Sequence, residues 1–202
     1  QTEDTNVETG NDNDGVSAFL SNGFTAKGGF NSNTNKWVSF CWDAGTAAAT
    51  ASTEGSVTPS AQWVNNTAGF SITKWTVPSS GTYTVGHGLS AKPDVIICKN
   101  TELTSNWDVY HHKIGASYRF KLNTQDAKDS QSGAWNNTEP TNTVFTTTVA
   151  WQGADDVMVA YAWTGIPGYS KFGAYKGSSF VYTGFRPNYV LIKSADNGAE
   201  WH

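Results

Sequence analysis

Three aromatic side chains stand where a ligand could reach them. Trp107 follows the polar loop "NTELTSN", Trp135 lies in the turn "SGAWNN", and Tyr169 lies in "PGYSK". An exposed indole or phenol ring stacks on the apolar C–H face of a sugar, while neighbouring Asn and Asp groups bond its hydroxyls. The competing role for each is packing. Trp201 recurs at the position of Trp107 after a second polar loop, "SADNGAE", which favours packing for both. Trp135 is flanked by the loop formers Ser132, Gly133, Asn136 and Asn137, which leaves both roles open.

Glycoside hydrolysis would need two carboxylates about 5–9.5 Å apart. The candidates are Asp94, Glu102, Asp108, Glu139, Asp155 and Asp156. An internal echo described below replaces Asp94 by Asn188 and Asp108 by His202, so neither of these two carboxylates is kept in both copies. No nucleophile elbow, Ser/His/Asp signature or phosphate-binding glycine loop is present. The histidines are His87, His111, His112 and His202. Adjacent strand residues face opposite sides, so His111 and His112 are not expected to chelate together. "NDNDG" (Asn11 to Gly15) has alternating oxygen ligands and a glycine but lacks the downstream Glu of a calcium loop. No catalytic, cofactor-binding or metal-binding residue is assigned, and an enzyme is not expected.

Charged residues make up only 15% of the 202 and aromatics 13%, the balance being rich in Gly, Thr, Ser and Asn. That composition suits a β-rich, turn-rich chain with uncharged polar surfaces. The net charge of −4 and the scatter of 13 Lys and Arg exclude a nucleic-acid footprint. No stretch approaches the roughly 18 apolar residues of a membrane span. The first residues, "QTEDTNVETGNDNDG", lack an initiator Met and read as a trimmed or internal segment. Cys41 and Cys98 each sit in an apolar run and read as small buried hydrophobes; a bridge between them is left open.

The elements that must position these residues are strands. "KWVSFCW" (Lys36 to Trp42) and "VMVAYAW" (Val157 to Trp163) alternate as half-buried strands do. They align at an offset of 121, which also matches Phe24-Thr25 to Phe145-Thr146 and Phe30 to Trp151. "KPDVIICKN" (Lys92 to Asn100) and "RPNYVLIKS" (Arg186 to Ser194) align at an offset of 94, with Trp107 on Trp201. "AGFSITKW" (Ala68 to Trp75) resembles "PGYSKFGAY" (Pro167 to Tyr175), and "TVGHGL" (Thr84 to Leu89) resembles "VYTGF" (Val181 to Phe185) after a two-residue slip.

The chain is thus read as repetitive. The expected organisation is a flexible arm 1–15, the closing half of a repeat 16–43, an Ala/Thr/Ser-rich linker 44–67, a complete repeat 68–166, and the opening half of another 167–202. Strands are expected at Phe70–Thr76, Thr82–Val85, Asp94–Lys99, Trp107–His111, Tyr118–Leu122, Thr143–Thr148 and Val157–Trp163, with a short helical turn in "NTQDAKDSQ". The non-alternating runs Val95–Cys98 and Tyr189–Ile192 read as central strands covered on both faces. The fold class is all-β: an antiparallel β-sandwich, jelly-roll or lectin-like, built from repeats of about 100 residues.

"GFSITKW", "HGLSAKPDVIICKN", "NWDVYHHKIGA", "SGAWNNTEPTNTVF" and "GYSKFGAYKGSSFVYTGFRPNYVLIKS" together resemble a repeat of tail-fibre and other virion-surface proteins of marine, cyanophage-type bacteriophages. The resemblance covers roughly residues 16 to 202 outside the linker, and Gly168 to Lys193 is its most specific part. It implies a β-sandwich architecture and carries over no catalytic residue. The expected function is that of a non-enzymatic phage structural protein, a fibre, appendage or capsid-decoration subunit on the virion surface. Its expected partners are other copies of itself and other virion proteins, with no nucleic acid and no membrane insertion. The alternative is a carbohydrate-binding module that recognises a host-surface glycan through Trp135, Trp107 or Tyr169; a glycan-cleaving enzyme ranks third. The half-units at either end are expected to continue in a longer chain or to complete one another between neighbours, head to tail.

Overall fold

The computed structural model describes residues 15–32, 34–45, 50–177 and 180–202. The arm 1–14, with most of "NDNDG", lies outside the described residues. The chain divides into two units, Glu8–Trp42 and the remainder.

In the first unit, β1 (Gly15–Leu20) and β2 (Gly23–Lys27) form an antiparallel hairpin with a register shift between Val16 and Ala18. A single 3-10 turn, Gly28–Asn31, follows. The alternating segment Lys36–Trp42, expected as a strand, belongs to no sheet. Alternation selects a pleated surface but does not supply a neighbour to bond to, and a strand exists only as part of a ladder. The apolar side chains of this unit, among them Phe19, Leu20, Trp37, Val38, Phe40 and Trp42, are exposed.

The second unit is an all-β sandwich. Its strands are β3 (Ala61–Asn65), β4 (Phe70–Thr76), β5 (Thr82–Gly86), β6 (Val95–Asn100), β7 (Asp108–His111), β8 (Tyr118–Lys121), β9 (Asp129–Ser130), β10 (Val144–Thr148) and β11 (Val157–Trp163). Two one-turn helices, α1 (Ser132–Trp135) and α2 (Val149–Gln152), flank β10. One antiparallel sheet has the order β3-β4-β11-β6-β7-β8-β9; β5 and β10 form a second, two-stranded ribbon. The expected helical turn in "NTQDAKDSQ" is instead an irregular segment ending in the short β9, and α1 begins just beyond it. Every other strand expected between Phe70 and Trp163 is present within two residues of its expected bounds.

The main core lies between the sheet and the ribbon. Trp75, Ile96, Cys98, Tyr110, Met158, Ala160 and Ala162 come from the sheet; Tyr83, Val85 and Phe145 from the ribbon; Ala134 and Trp135 from α1. Trp75 meets Phe145 edge-on at 5.7 Å, and Trp135 meets Tyr110 edge-on at 5.8 Å. Each such fully buried side chain contributes about 1.5–3 kcal/mol of transfer free energy. The opposite face of the sheet buries Val95, Val109 and Phe120, against which Phe172, Ala195 and Trp201 of the following segment pack. The central strand β11 bonds to β4 on one side and β6 on the other, so both of its edges are occupied.

The stretch read as a linker is partly structural. Ala61–Asn65 forms the edge strand β3 against β4. The fully buried Gln62 amide donates to Thr73 Oγ1 and to the Gly86 carbonyl at 2.9 and 2.7 Å, tying sheet to ribbon. Val57 bridges to Val85 of the ribbon.

Among the described residues from Pro167 onward there is no strand, although "RPNYVLIKS" resembles the buried β6 in sequence. Two pairs of glycines in the resembling stretches share a backbone conformation. Gly69 and Gly168 both take positive φ, at 63° and 79°, as do Gly88 and Gly184, at 74° and 87°. A side chain at Gly69 would strike the Thr164 carbonyl as well as strain the backbone. The pair Cys98↔Asp108, in register between β6 and β7, shifts by 94 onto Ile192 and His202, whose backbones exchange two hydrogen bonds of 2.7 and 2.9 Å. Lys99 is buried: its ammonium donates to the Asn100 and Leu103 carbonyls and to Ser105 Oγ. Lys193 likewise donates to the carbonyl of Ala199 in the loop that follows it.

Candidate functional site

A cleft of about 340 Å³ opens between the end of β6, the 103–106 loop, β7, β8 and α2. Its polar walls are Asn100, Ser105, Asn106, Asp108, Arg119 and Gln152, with Trp151 beside them and Cys98 and Met158 at its base. Asn100 closes the β6 end as an Asx turn: its Oδ1 accepts from the backbone N–H groups of Glu102 and Leu103, both at 2.9 Å. Its amide donates to the Gln152 carbonyl and to Asp156 Oδ2, at 2.9 and 2.8 Å.

Asp108 lies opposite Lys121 in the antiparallel β7–β8 pair, and Arg119, two residues from Lys121 on the same face of β8, reaches it diagonally. Asp108 Oδ1 accepts from Arg119 Nη1 at 2.5 Å, and Oδ2 accepts from Trp151 Nε1 at 2.7 Å. Arg119 Nε and Nη2 grip the two oxygens of Asp129 at 2.9 and 3.3 Å. Its guanidinium carbon sits 4.0 Å from the centre of the Trp151 ring, a cation–π contact. Burial raises the Asp108 carboxyl above its usual range, against the pull of Arg119 and the Trp151 bond. Burial also pushes the Cys98 thiol well up, which makes it a poor nucleophile. Both oxygens of Asp108 are engaged, and it is the one carboxylate among the described residues lining the cleft. The arrangement therefore offers hydrogen-bond donors and acceptors to a polar ligand, but not the paired carboxylates of glycoside hydrolysis.

On the opposite face of the sheet lies a row of near-parallel rings. Trp107 stacks on Tyr161 at 6.4 Å, Tyr161 on Trp163 at 6.4 Å, and Trp163 on Phe70 at 4.9 Å, with interplanar angles of 23–25°. Tyr161 and Trp163 share that face because they are two apart in one strand. Trp107, Tyr161 and Trp163 are half-buried.

Of the three aromatics expected to stack on a glycan, Trp107 joins this row and Tyr169 is exposed elsewhere. Trp135 is corrected: it is 2% exposed, wedged between Tyr110 and Phe145, and no ligand reaches it. The flanking loop formers are real, but the one-turn helix they bracket points its ring into the main core. Trp201 packs edge-on against Phe120 and donates to the Lys121 carbonyl at 3.2 Å. The sequence reading missed Arg119 and Trp151, because β8 and α2 reach Asp108 only in three dimensions. Tyr161 and Trp163 were visible as an alternating pair, read only as core.

Cys41 is corrected in the same way, being exposed, whereas Cys98 is buried; both are free thiols. The rings of His111 and His112 lie 5.1 Å apart rather than on opposite faces, because β7 ends at His111 and the chain turns there. His112 pairs with Asp94 at 2.9 Å. Among the described residues no group of three His, Cys, Asp or Glu side chains could hold a metal ion, and no helix is long and apolar enough to cross a membrane.

The sequence matches, over residues 1–202, the family described as "Domain of unknown function (DUF7483)". No curated protein and no solved structure matches it.

Proposed function

We propose that this chain, which belongs to the DUF7483 family over residues 1–202, is a non-enzymatic structural subunit of a bacteriophage particle, acting in assembly and display at the virion surface as part of a tail fibre, appendage or capsid decoration. One observation carries the reading. A complete sandwich is flanked on both sides by segments that copy its strands and leave their apolar side chains, from Phe19 and Phe40 to Val190 and Leu191, exposed outside any sheet of the complete unit. Large apolar side chains exposed in such numbers favour an interaction role. The resemblance of "GYSKFGAYKGSSFVYTGFRPNYVLIKS" to virion-surface repeats supplies the phage setting. The scarcity of charge and the cleft with its single, doubly bonded carboxylate favour a scaffold over a catalyst. Mass spectrometry and immunogold labelling of particles purified from the encoding phage test this. The chain is expected in stoichiometric amount with label on the outer surface; its absence from washed particles would overturn the proposal.

A second reading, recognition of a host-surface glycan, is favoured by the amide- and hydroxyl-lined cleft and by the aromatic row that Trp107 opens. A glycan array tests it. Binding that Trp107→Ala or Asn106→Ala abolishes, with the fold retained, would support it; an array without binding would remove it.

A further inference from the structure

Three hydrogen-bond relays run into the cleft between β6, β7, β8 and α2, and each ends on a donor. The first starts in the main core. Trp75 Nε1 donates to the Tyr83 hydroxyl oxygen at 3.2 Å, and Tyr83 turns its own proton onto Gln152 Oε1. That relay fixes which way the Gln152 amide faces: Oε1 is engaged by Tyr83, and Nε2 has no partner among the described residues. The second relay runs along the loops. The Trp107 N–H donates to Asn123 Oδ1 at 2.9 Å, Asn123 Nδ2 donates to Asn106 Oδ1 at 3.0 Å, and Asn106 Nδ2 is left to donate. In the third, the Lys99 ammonium donates to Ser105 Oγ at 3.2 Å, which leaves the Ser105 hydroxyl its own proton to give.

Gln152, Asn106 and Ser105 all line the cleft. Gln152 is only 6% exposed, and its backbone carbonyl is held by Asn100 Nδ2 at 2.9 Å, so its amide stays at the wall. A buried N–H without a partner carries the full desolvation cost of the group, and a ligand that accepts from it recovers that cost. The acceptors of the same walls are engaged. Asn100 Oδ1 takes two backbone N–H groups, and the two oxygens of Asp108 take Arg119 and Trp151. The cleft therefore has donors to spare and few open acceptors. Its charge is balanced: Arg119, the one cation among the described residues lining it, is matched by Asp108 and Asp129. Its base, formed by Cys98 and Met158, is buried and apolar.

These properties select a ligand group. An anion would find no unmatched cation. A sugar hydroxyl brings a proton that needs an acceptor, which these walls scarcely offer. A neutral carbonyl brings lone pairs alone, and a methyl group attached to it suits the apolar base. We infer that the cleft binds the acetamido group of an N-acetylated sugar, the carbonyl oxygen accepting from Gln152 Nε2 and the methyl resting on Cys98 and Met158. Ser105 and Asn106 donate to oxygens of the sugar ring, and the hydroxyl of Thr104, on the exposed rim, accepts the acetamido N–H. A volume of about 340 Å³ is at the small end of ligand pockets and suits one sugar residue of a glycan. The inference rests on the glycan-recognition reading above and names the class of sugar that the site takes.

Titration calorimetry and saturation-transfer NMR of the full chain with N-acetylglucosamine, with glucose as the control that lacks the acetamido group, test it. N-acetylglucosamine is expected to bind at least about ten-fold more tightly than glucose, with the strongest transfer at its acetyl methyl. Gln152→Met removes the donor and is expected to weaken binding about ten-fold or more, with far-ultraviolet circular dichroism reporting whether the variant folds. Asn106→Ala, at a half-buried loop position, gives a second variant with an expected loss of several-fold, should Gln152→Met not fold. Three results would overturn the inference: glucose bound as tightly as N-acetylglucosamine, transfer strongest at the ring protons, or undiminished binding by folded Gln152→Met. Glycan binding without preference for the acetamido group would leave the recognition reading standing, whereas no binding of any sugar would remove both.

Discussion

His87 shows how a single side chain can set the acid limit of the fold. It is fully buried; its Nδ1 accepts from the Leu89 N–H at 3.1 Å, so its Nε2 carries the proton and donates to the Thr141 carbonyl at 3.3 Å. Burial lowers its pKa to about 4, and burial with the neighbouring His112 lowers that of His111 to about 4 as well. The unfolded chain takes up these protons near pH 6.5 and the folded chain only near 4, so stability is full above pH 6.5 and declines as pH falls between those values. For His87 the loss amounts to about 3 kcal/mol across that window. Asp108, its carboxyl raised by burial, works with the opposite sign. Urea midpoints measured from pH 7 to 5 are expected to fall, and His87→Gln is expected to flatten the decline; a wild-type midpoint independent of pH would contradict this. Arg119 makes a second prediction at this scale. Arg119→Met leaves Asp108 buried without its counter-charge and is expected to cost about 3–5 kcal/mol, whereas Arg119→Met with Asp108→Asn is expected to cost less than the sum of the two single changes. Additive losses in urea titrations would mean that the two groups do not form one clasp. Neither residue pair was legible beforehand. His87 read as part of a turn, and Arg119 and Asp108 are separated by 11 positions and meet only through the β7–β8 pairing.

At the scale of the element, the same sentence written twice has two outcomes. Ile96 lies at the centre of β6, fully buried, while its counterpart Val190 is exposed. Ile96→Ala is expected to cost about 2–5 kcal/mol, the range for large-to-small changes in a packed core. Val190→Ala is expected to change the stability of the monomer by less than about 0.5 kcal/mol, as surface changes do. Denaturant titration at low protein concentration checks both, and equal losses would show that 189–194 is already built into a sheet. The strands from Phe70 to Trp163 were legible because each carries its own signal: alternation in β11, a short apolar run bounded by Pro and Asn in β6, Gly and Asn at the turns. What sequence pattern cannot convey is whether a neighbour is present to bond with, and 36–42 and 189–194 form no ladder whereas β11 and β6 do. The edge strand β3 was hidden for the converse reason. Its inward anchor is an amide, Gln62, within an Ala/Thr/Ser-rich stretch whose composition resembles a linker. Gln62→Ala would leave the Gly86 carbonyl without its donor, and a loss of about 1–3 kcal/mol is expected on the same titration.

At the scale of the whole molecule, the cleft reads as a structural clasp with an open polar mouth, and the proposed assembly role rests on the exposed apolar side chains of the flanking segments. The all-β class and the sandwich were plain from composition and strand spacing. The site was not, because the residues expected to bind, Trp135 above all, were chosen for loop-like neighbours, whereas accessibility is decided by which way a one-turn helix points. The central claim is the proposed assembly role, carried by the exposed apolar side chains of 36–42 and 189–194. Hydrogen exchange of the intact wild-type chain, followed peptide by peptide at rising protein concentration, tests it most directly. The account predicts that the amides of 36–42 and 189–194 gain protection together as concentration rises, while those of β6 and β11 stay protected throughout. Exchange in both segments that is fast and independent of concentration, or protection that is already complete in dilute monomer, would contradict it.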